Sequence, residues 1–292
     1  MAFTVRKAVI PAAGLGTRLL PATKEMPKEM LPIFVRCGDG RIRLKPMLQA
    51  IFEQLYDFGF REFCFVVGRG KRAIEDHFTP DREFLNFLRE KRKDDAVNDL
   101  EAFYEKINSS SIVFINQPEP HGFGDAILKA KPFVKEPFLV HAGDTYIISR
   151  NLSHLVRLMR HYEGLKAKAT LLIQEVEDPR QYGVVEGVEV EEGVYRVKRV
   201  VEKPEKPPSR LAIMPLYVFA ETIFDALEVT PTGVGGEVQL TDGIQKLIDW
   251  GFNVVAVKLA AEDIRLDIGS PKTCWDALRL SYKAFGGEEQ YE

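Results

Sequence analysis

Short apolar runs rich in β-branched residues recur along this chain, and segments with helical periodicity separate them. "KAVIPA" (7–12), "EFCFVVG" (62–68), "SIVFINQ" (111–117), "PFLVHAGD" (137–144) and "ATLLIQEV" (169–176) each read as a strand buried on both faces. Between them, "PMLQAIFEQLYDFG" carries Met47, Ile51, Leu55 and Phe58 at helical spacing, with Gly59 placed to cap the helix. "NLSHLVRLMRHYEG" repeats the pattern before Gly164. Strands alternating with helices predict an α/β fold around a mixed, mostly parallel sheet in three Rossmann-like layers.

Two segments depart from that alternation. Residues 79–108 are long and charged. Thr79 is expected to cap a helix with Pro80 at its first position, and Phe84, Leu88, Val97, Leu100 and Phe103 to share an inward face, which makes the segment a helical insertion. From Tyr182 to Phe219 the period becomes two. "VVEGVEVEEGVYRVKRVVEKP" predicts a hairpin turning at Glu192–Gly193, and "LAIMPLYVF" a further strand, so an antiparallel extension should accompany the parallel sheet.

Bulk properties exclude several classes. A formal charge of −3, from 40 basic and 43 acidic residues, offers no general attraction to nucleic acid or an anionic membrane. Three scattered cysteines, Cys37, Cys64 and Cys274, show no metal spacing and predict a reducing, cytoplasmic setting. No signal-peptide pattern opens the chain and no run is apolar for long enough to span a bilayer.

The chemistry concentrates first in "AAGLGTRLLPATKEMPKEMLPI" (12–33). A glycine turn after a strand can aim backbone N–H groups at phosphate oxygens. Gly14 and Gly16 supply that turn, yet Leu19 stands where a dinucleotide fingerprint needs glycine, and no P-loop ending follows. The "GRGKR" at 68–72 fails the P-loop as well. Distinctive instead is the cationic sequel, Arg18, Lys24 and Lys28, set among prolines.

This stretch resembles the signature of the sugar-nucleotidyltransferase family, whose members join a nucleoside triphosphate to a sugar 1-phosphate and release pyrophosphate. "QPEPHGFGDA", "HAGD", "QYGVVE", "VEKP", "LAIMPLYVF", "GGEVQLTDGI" and "LDIG" follow in family order, so the likeness covers nearly the whole chain. The wording of "LPATKEMPKEMLPI", the helical insertion and the late "GGEVQLTD" are nearest the family's uridylyltransferase branch. That implies UTP and α-D-glucose 1-phosphate as substrates. The alternatives are thymidylyl transfer, broad specificity, or a non-catalytic regulatory protein of this fold; the last should lack Arg18, Lys28, Asp144 or Lys203, all of which are present.

The resemblance also distributes roles. Ala12, Ala13, Gly14, Gly16 and Thr17 would carry the nucleotide, with Arg18 and Lys28 on its β- and γ-phosphates. Gln117 and Gly122 would read the uracil edge. Asp144 and Asp267 would hold Mg²⁺. Tyr182, Gly183, Glu202 and Lys203 would bind the sugar phosphate, with Arg18, Lys28 and Lys203 the catalytic cations. Glu237, Thr241 and Asp242 read either as sugar-side residues or as the start of a helix that Thr241 caps, with Leu240, Ile244 and Leu247 packed inward. One domain over 1–292 is implied, with a nucleotide-binding half (1–145), a sugar-phosphate half (146–285), a frayed end (286–292), and assembly as a homodimer or homotetramer.

Four departures from the family pattern stand out. Asp125 occupies a position usually held by His, Thr145 one usually held by a second Asp, and Pro215 one usually held by Gly; "VRCGDGRIRL" (35–44) is inserted. His121 and His141 flank the motifs with no role assigned.

Overall fold

A computed structural model describes residues 3–286. In chain order the strands and helices are β1 (Lys7–Ala12), β2 (Pro32–Arg36), β3 (Ile42–Pro46), α1 (Met47–Phe58), β4 (Glu62–Gly68), α2 (Arg72–His77), α3 (Arg82–Glu90), α4 (Asp94–Asn108), β5 (Ser111–Gln117), α5 (Phe123–Lys129) and β6 (Phe138–His141). They continue with β7 (Thr145–Ile148), α6 (Ser153–Gly164), β8 (Ala169–Glu175), β9 (Gly183–Glu191), β10 (Val194–Glu202), β11 (Leu211–Phe219), α7 (Thr222–Glu228), α8 (Leu240–Asp249), β12 (Val254–Lys258), β13 (Ile264–Asp267) and α9 (Pro271–Ala284).

Among the described residues nine strands form one sheet in the order β5-β4-β1-β6-β11-β8-β12-β10-β9. Only β11 and β10 run against the others, each pairing antiparallel with its neighbours. The expected mixed, mostly parallel sheet is therefore present, and the antiparallel hairpin β9–β10 extends it through β12. The β12 strand, not anticipated from the sequence, pairs with β10 and so joins the hairpin to the sheet, and β9 also meets β11 at Val184–Ala212. Two small antiparallel ladders, β2–β3 and β7–β13, stand outside it.

Alternation along the strands divides the apolar residues between two cores. Ala8, Ile10, Phe63, Phe65 and Leu139 pack beneath α1 and α6 with Leu48, Phe52 and Leu158. Val9, Cys64, Val66, Val140 and Leu171 face Ile127, Phe224, Ile244 and Leu247 of α5, α7 and α8. Neighbouring residues of one strand thus serve opposite layers, which the period-2 geometry of a strand requires.

The insertion is helical, but its details differ from expectation. Asp81, not Thr79, caps α3 by accepting from the Phe84 N–H at 2.8 Å, while Thr79 Oγ1 donates to the Glu75 carbonyl. Asp81 sits directly before the first helical residue, where its short carboxylate reaches the orphan amide. Val97 and Phe103 are buried as expected and Leu88 and Leu100 are partly buried, but Phe84 is exposed and Leu85 is buried instead. Insertion 35–44 forms the turn of the β2–β3 hairpin and the strand ends on either side of it. Residues 287–292, most of the segment expected to fray, lie outside the described residues.

The chain steps outward from β1 to β4 and β5, then crosses back to β6 on the other side of β1. Loops leaving the carboxyl ends of β1 and β6 must diverge there, and this divergence opens a crevice of the kind where α/β sheets bind ligands.

Candidate active site

The crevice holds two clefts that run into one another. The first, of about 460 Å³, is lined by residues including Ala13, Gly14, Gly16, Thr17, Arg18, Lys28, Gln117 and Gly122. The second, of about 610 Å³, is lined by residues including Tyr182, Gly183, Glu202, Lys203, Thr241, Arg265 and Asp267. Arg18, Phe123, Ala142, Asp144 and Glu237 line both. Of the residues expected at the site, Ala12 and Asp242 line neither cleft; the Ala12 methyl lies in the core at the end of β1, and Asp242 belongs to the first turn of α8.

The glycine turn is shaped by close approaches. Gly16 has a φ of +68°, and a Cβ there would lie 3.3 Å from Thr23 Cβ; the Thr23 hydroxyl in turn donates to the Gly16 carbonyl at 2.8 Å. Left-handed backbone in such confinement favours glycine. A Cβ on Gly14 would lie 3.6 Å from Lys28 Cε and Nζ, an ordinary packing distance, so Lys28 lies directly beside the turn.

Lys28 begins a short 3₁₀ turn (Lys28–Met30) and its ammonium meets Asp144 Oδ2 at 2.5 Å. Burial would lower the Lys28 pKa, but Asp144, Glu29 and Asp267 together outweigh it, and the group stands above the ordinary lysine value. Asp144 follows β6, and Asp267 closes β13. The β7–β13 ladder pairs Thr145 with Asp267, and the Ile268 N–H donates to the Asp144 carbonyl at 3.0 Å. Burial and the charge of Asp144 hold the Asp267 carboxyl above its usual range, against the pull of Arg265, a hydrogen bond from Thr273, and Lys28. Two carboxylates that repel one another in a partly dry cleft suit a divalent cation. Among the described residues no group of three or more His, Cys, Asp or Glu could hold a metal alone, and with Thr145 neutral, phosphate oxygens would have to complete the shell. Magnesium is normally held in that way, by one or two carboxylates plus substrate phosphate and water.

Beneath Lys28 lies a pair the sequence did not disclose. Glu29, 1% exposed, accepts from Lys71, 6% exposed, at 2.7 Å. Burial raises the Glu29 carboxyl above its usual value, while Lys71 and Lys28 oppose the shift. Lys71 belongs to the "GRGKR" segment, which has no phosphate role here; its lysine is a buried counterion. The two lie 42 residues apart, and only the parallel pairing of β1 with β4 brings them together.

At the end of β5, Gln117 is buried and its Nε2 donates to Asp125 Oδ2 at 2.7 Å and to the Gly122 carbonyl at 3.1 Å. Gly122 has a φ of +104°, and a Cβ on it would lie 2.8 Å from the Val238 carbonyl, so glycine is required there. Asp125 turns inward from α5, with Lys129 Nζ at 3.3 Å, and lines neither cleft. The additional carboxylate therefore adds no negative charge to the lining of either cleft.

In the second cleft, Glu202 Oε2 accepts from Thr241 Oγ1 at 2.6 Å, and Glu202 Oε1 lies 3.3 Å from Lys203 Nζ. A Cβ on Gly183 would lie 2.7 Å from that hydroxyl and 3.2 Å from Glu202, which fixes glycine at this point. Thr241 is thus a cleft residue and not the cap of α8; the cap position is Gln239, which makes no side-chain cap bond, while Leu240, Ile244 and Leu247 are buried as expected. Lys203 has a φ of +40°, and its N–H donates to the Tyr182 carbonyl at 3.0 Å. A left-handed lysine costs on the order of 1–2 kcal/mol, and such strain persists where surrounding contacts enforce it. Pro215 sits where β11 slips register against β8, between Met214 and Tyr217, and its carbonyl accepts from the Ala142 N–H at 2.9 Å. The irregularity lets a central strand accept a residue with no N–H to give.

Arg180 and Arg265 also line this cleft and were not foreseen. Arg265 Nη2 lies 3.3 Å from the Tyr182 hydroxyl, with the guanidinium 5.5 Å from its ring centroid. The only advance signal for Arg265 was its place two residues before Asp267.

The family model described as nucleotidyl transferase matches residues 7–283. UTP–glucose-1-phosphate uridylyltransferase of Bacillus subtilis (strain 168) is 45% identical over 249 residues, which is 83% of this chain and 80% of that one. A crystal structure of UDP-glucose pyrophosphorylase complexed with UDP-glucose superposes with a TM-score of 0.81 at 32% identity, covering 96% of this chain and all of the other. A UTP-bound UGPase from Acinetobacter baumannii gives 0.82 at 30%, covering 95% and 93%.

Proposed function

The chain belongs to the nucleotidyl transferase family, and on that premise we propose that it transfers the uridylyl group of UTP to α-D-glucose 1-phosphate, forming UDP-glucose and pyrophosphate. One phosphate oxygen of the sugar bonds to the α-phosphorus. The bond from that phosphorus to the oxygen bridging to the β-phosphate breaks, and its electron pair departs with pyrophosphate. The nucleophile is already an anion, so no base is needed. The work is to align two polyanions and stabilise the charge that spreads between them.

The observation that carries this reading is the continuity of the two clefts at Arg18 and Asp144, with a cationic phosphate turn on one side and Glu202–Lys203 on the other. In the proposal, Ala13, Gly14, Gly16 and Thr17 cradle the nucleotide, and Gln117 and Gly122 meet its base. Arg18 and Lys28 take the departing phosphates. Tyr182, Gly183, Glu202 and Lys203 receive the glucose phosphate. The notional halves 1–145 and 146–285 both contribute to each cleft, since Glu237 and Gly269 reach the first and Arg18 the second. Nucleotidyl transferases use a divalent metal, and Mg²⁺ is the ion proposed for Asp144 and Asp267. When bound it would neutralise phosphate charge that Arg18 and Lys28 otherwise meet without it. Three free cysteines support a cytoplasmic setting. Among the described residues no helix is long and apolar enough to cross a membrane. Assembly into a homodimer or homotetramer is proposed by resemblance alone.

A pyrophosphate-release panel tests the reading by crossing UTP, dTTP, ATP and GTP with glucose, galactose and N-acetylglucosamine 1-phosphates. UTP with glucose 1-phosphate should be fastest, and silence with every pair would overturn the proposal. Because one methyl is worth only ~1–3 kcal/mol in a binding pocket, dTTP should be the nearest competitor.

A further inference from the structure

We propose that Asp125 is a positioning residue for base selection: with the Gly122 carbonyl it fixes the Gln117 carboxamide so that only an acceptor, Oε1, faces the nucleotide cleft. The argument rests on counting donors and acceptors. A carboxamide NH₂ has two hydrogens. The two acceptors beside Gln117 Nε2, Asp125 Oδ2 at 2.7 Å and Gly122 O at 3.1 Å, consume both. Reversing the amide would set its oxygen against a carboxylate and a carbonyl, neither of which can donate. Lys129, 3.3 Å from Asp125 Oδ1, holds the carboxylate in place from the next turn of α5.

Gln117 lines the first cleft while Asp125 does not. The base is therefore read by Gln117, and Asp125 acts through it. A free carboxamide could turn to suit either partner, donating to one base and accepting from another. This one cannot turn. The ring edge of uracil or thymine offers a single donor, the N3–H, so Oε1 must meet N3–H. Cytosine in the same seat presents the N3 lone pair to Oε1, and two acceptors then face each other without a proton. Buried polar groups left unpaired are what make hydrogen-bonded sites discriminate strongly. The inference rests on the assignment of the first cleft to the pyrimidine base.

The test compares kcat/KM for UTP and CTP, each with glucose 1-phosphate, in four chains. The unaltered chain should prefer UTP strongly. Asp125→Ala should shrink the UTP:CTP ratio by about tenfold, the scale of one net hydrogen bond, with KM for glucose 1-phosphate unmoved. Asp125→Asn, which still offers an oxygen to Nε2, should keep the ratio near that of the unaltered chain. In a Gln117→Ala background, Asp125→Ala should leave the ratio where Gln117→Ala alone puts it. Should the alanine chain not fold, Asp125→Ser, one bond too short to reach the amide, carries the same expectation. Proportional losses with UTP and CTP, or a ratio that still moves without Gln117, would overturn the positioning role. An unaltered chain that favours purine nucleotides would instead overturn the assignment of the cleft, and leave the two failures distinguishable.

Discussion

The two ends of the groove are built to different standards of rigidity. In the first cleft three polar groups have fixed partners: Lys28 with Asp144, Glu29 with Lys71, Gln117 with Asp125. Their side chains are mostly or wholly buried. In the second cleft Glu202 and Thr241 form one closed pair, but the cations beside it are open: Lys203 is 45% exposed and Arg180 64%, with its partner Asp178 also open to solvent. Charge in the proposed reaction develops on the leaving phosphates, at the rigid end. Electrostatic stabilisation there is effective because the groups need not reorganise as the charge appears. The loose end has only to admit a substrate that arrives already charged.

Removing divalent metal should break both ends at once and gives the largest effect. Excess EDTA should abolish pyrophosphate release and added Mg²⁺ restore it; undiminished turnover would remove Asp144 and Asp267 from metal binding. Next in size, Lys71→Met strands the Glu29 carboxylate and should cost about 3–5 kcal/mol of stability, the usual penalty for half of a buried pair. On the open side Arg180→Ala should leave the melting temperature unmoved. Equal melting shifts for the two variants would erase the contrast.

Lys28→Ala should lower turnover by about 10²–10³-fold, the scale of losing one preorganised charge-stabilising group. A rate near that of the unaltered chain would take Lys28 out of the site. Acid probes the closed framework more gently. Burial pulls His141 down to about 4 and His154 to about 3. Between those values and the ordinary 6.5 the unfolded chain binds protons that the folded one refuses. Stability is therefore full above pH 6.5 and falls as pH drops. From pH 7 to 5 the loss should be on the order of 2 kcal/mol for such a histidine, and a flat melting profile would contradict it. Smallest, on the open side, Glu202→Gln should raise KM for glucose 1-phosphate about tenfold, the weight of one hydrogen bond to a charged acceptor, and leave KM for UTP alone. The reverse pattern would reject its placement beside the sugar.

This division also explains what the sequence could disclose. Local signals were legible: the five strand runs, the hairpin turn at Glu192–Gly193 and the Gly59 cap all appear, although β5 is a half-exposed edge strand and not buried on both faces as expected. The ordered motifs brought Arg18, Lys28, Asp144, Lys203 and Asp267 to one groove. Long-range partnerships were not legible. Glu29 and Lys71 carry no mutual signal across 42 residues. Thr241 stands one residue inside a helix, where a cap and a cleft residue look alike until Glu202 is placed beside it. In the helical insertion Val97 and Phe103 are buried as their spacing implies, and the expected inward face failed only at Phe84, because Leu85 is adjacent and a one-residue error in phase exchanges inside for outside.

The absence of a wall between the two clefts has a consequence for flux. No residue is acylated, phosphorylated or otherwise spent in the proposed displacement, and the same uninterrupted surface that receives triphosphate and sugar phosphate can receive pyrophosphate and nucleotide sugar. By microscopic reversibility Arg18, Lys28 and Lys203 would speed the return as faithfully as the outward passage. Such a groove sets how fast equilibrium arrives and has no say in which side is favoured; net direction belongs to whatever drains pyrophosphate or nucleotide sugar from solution.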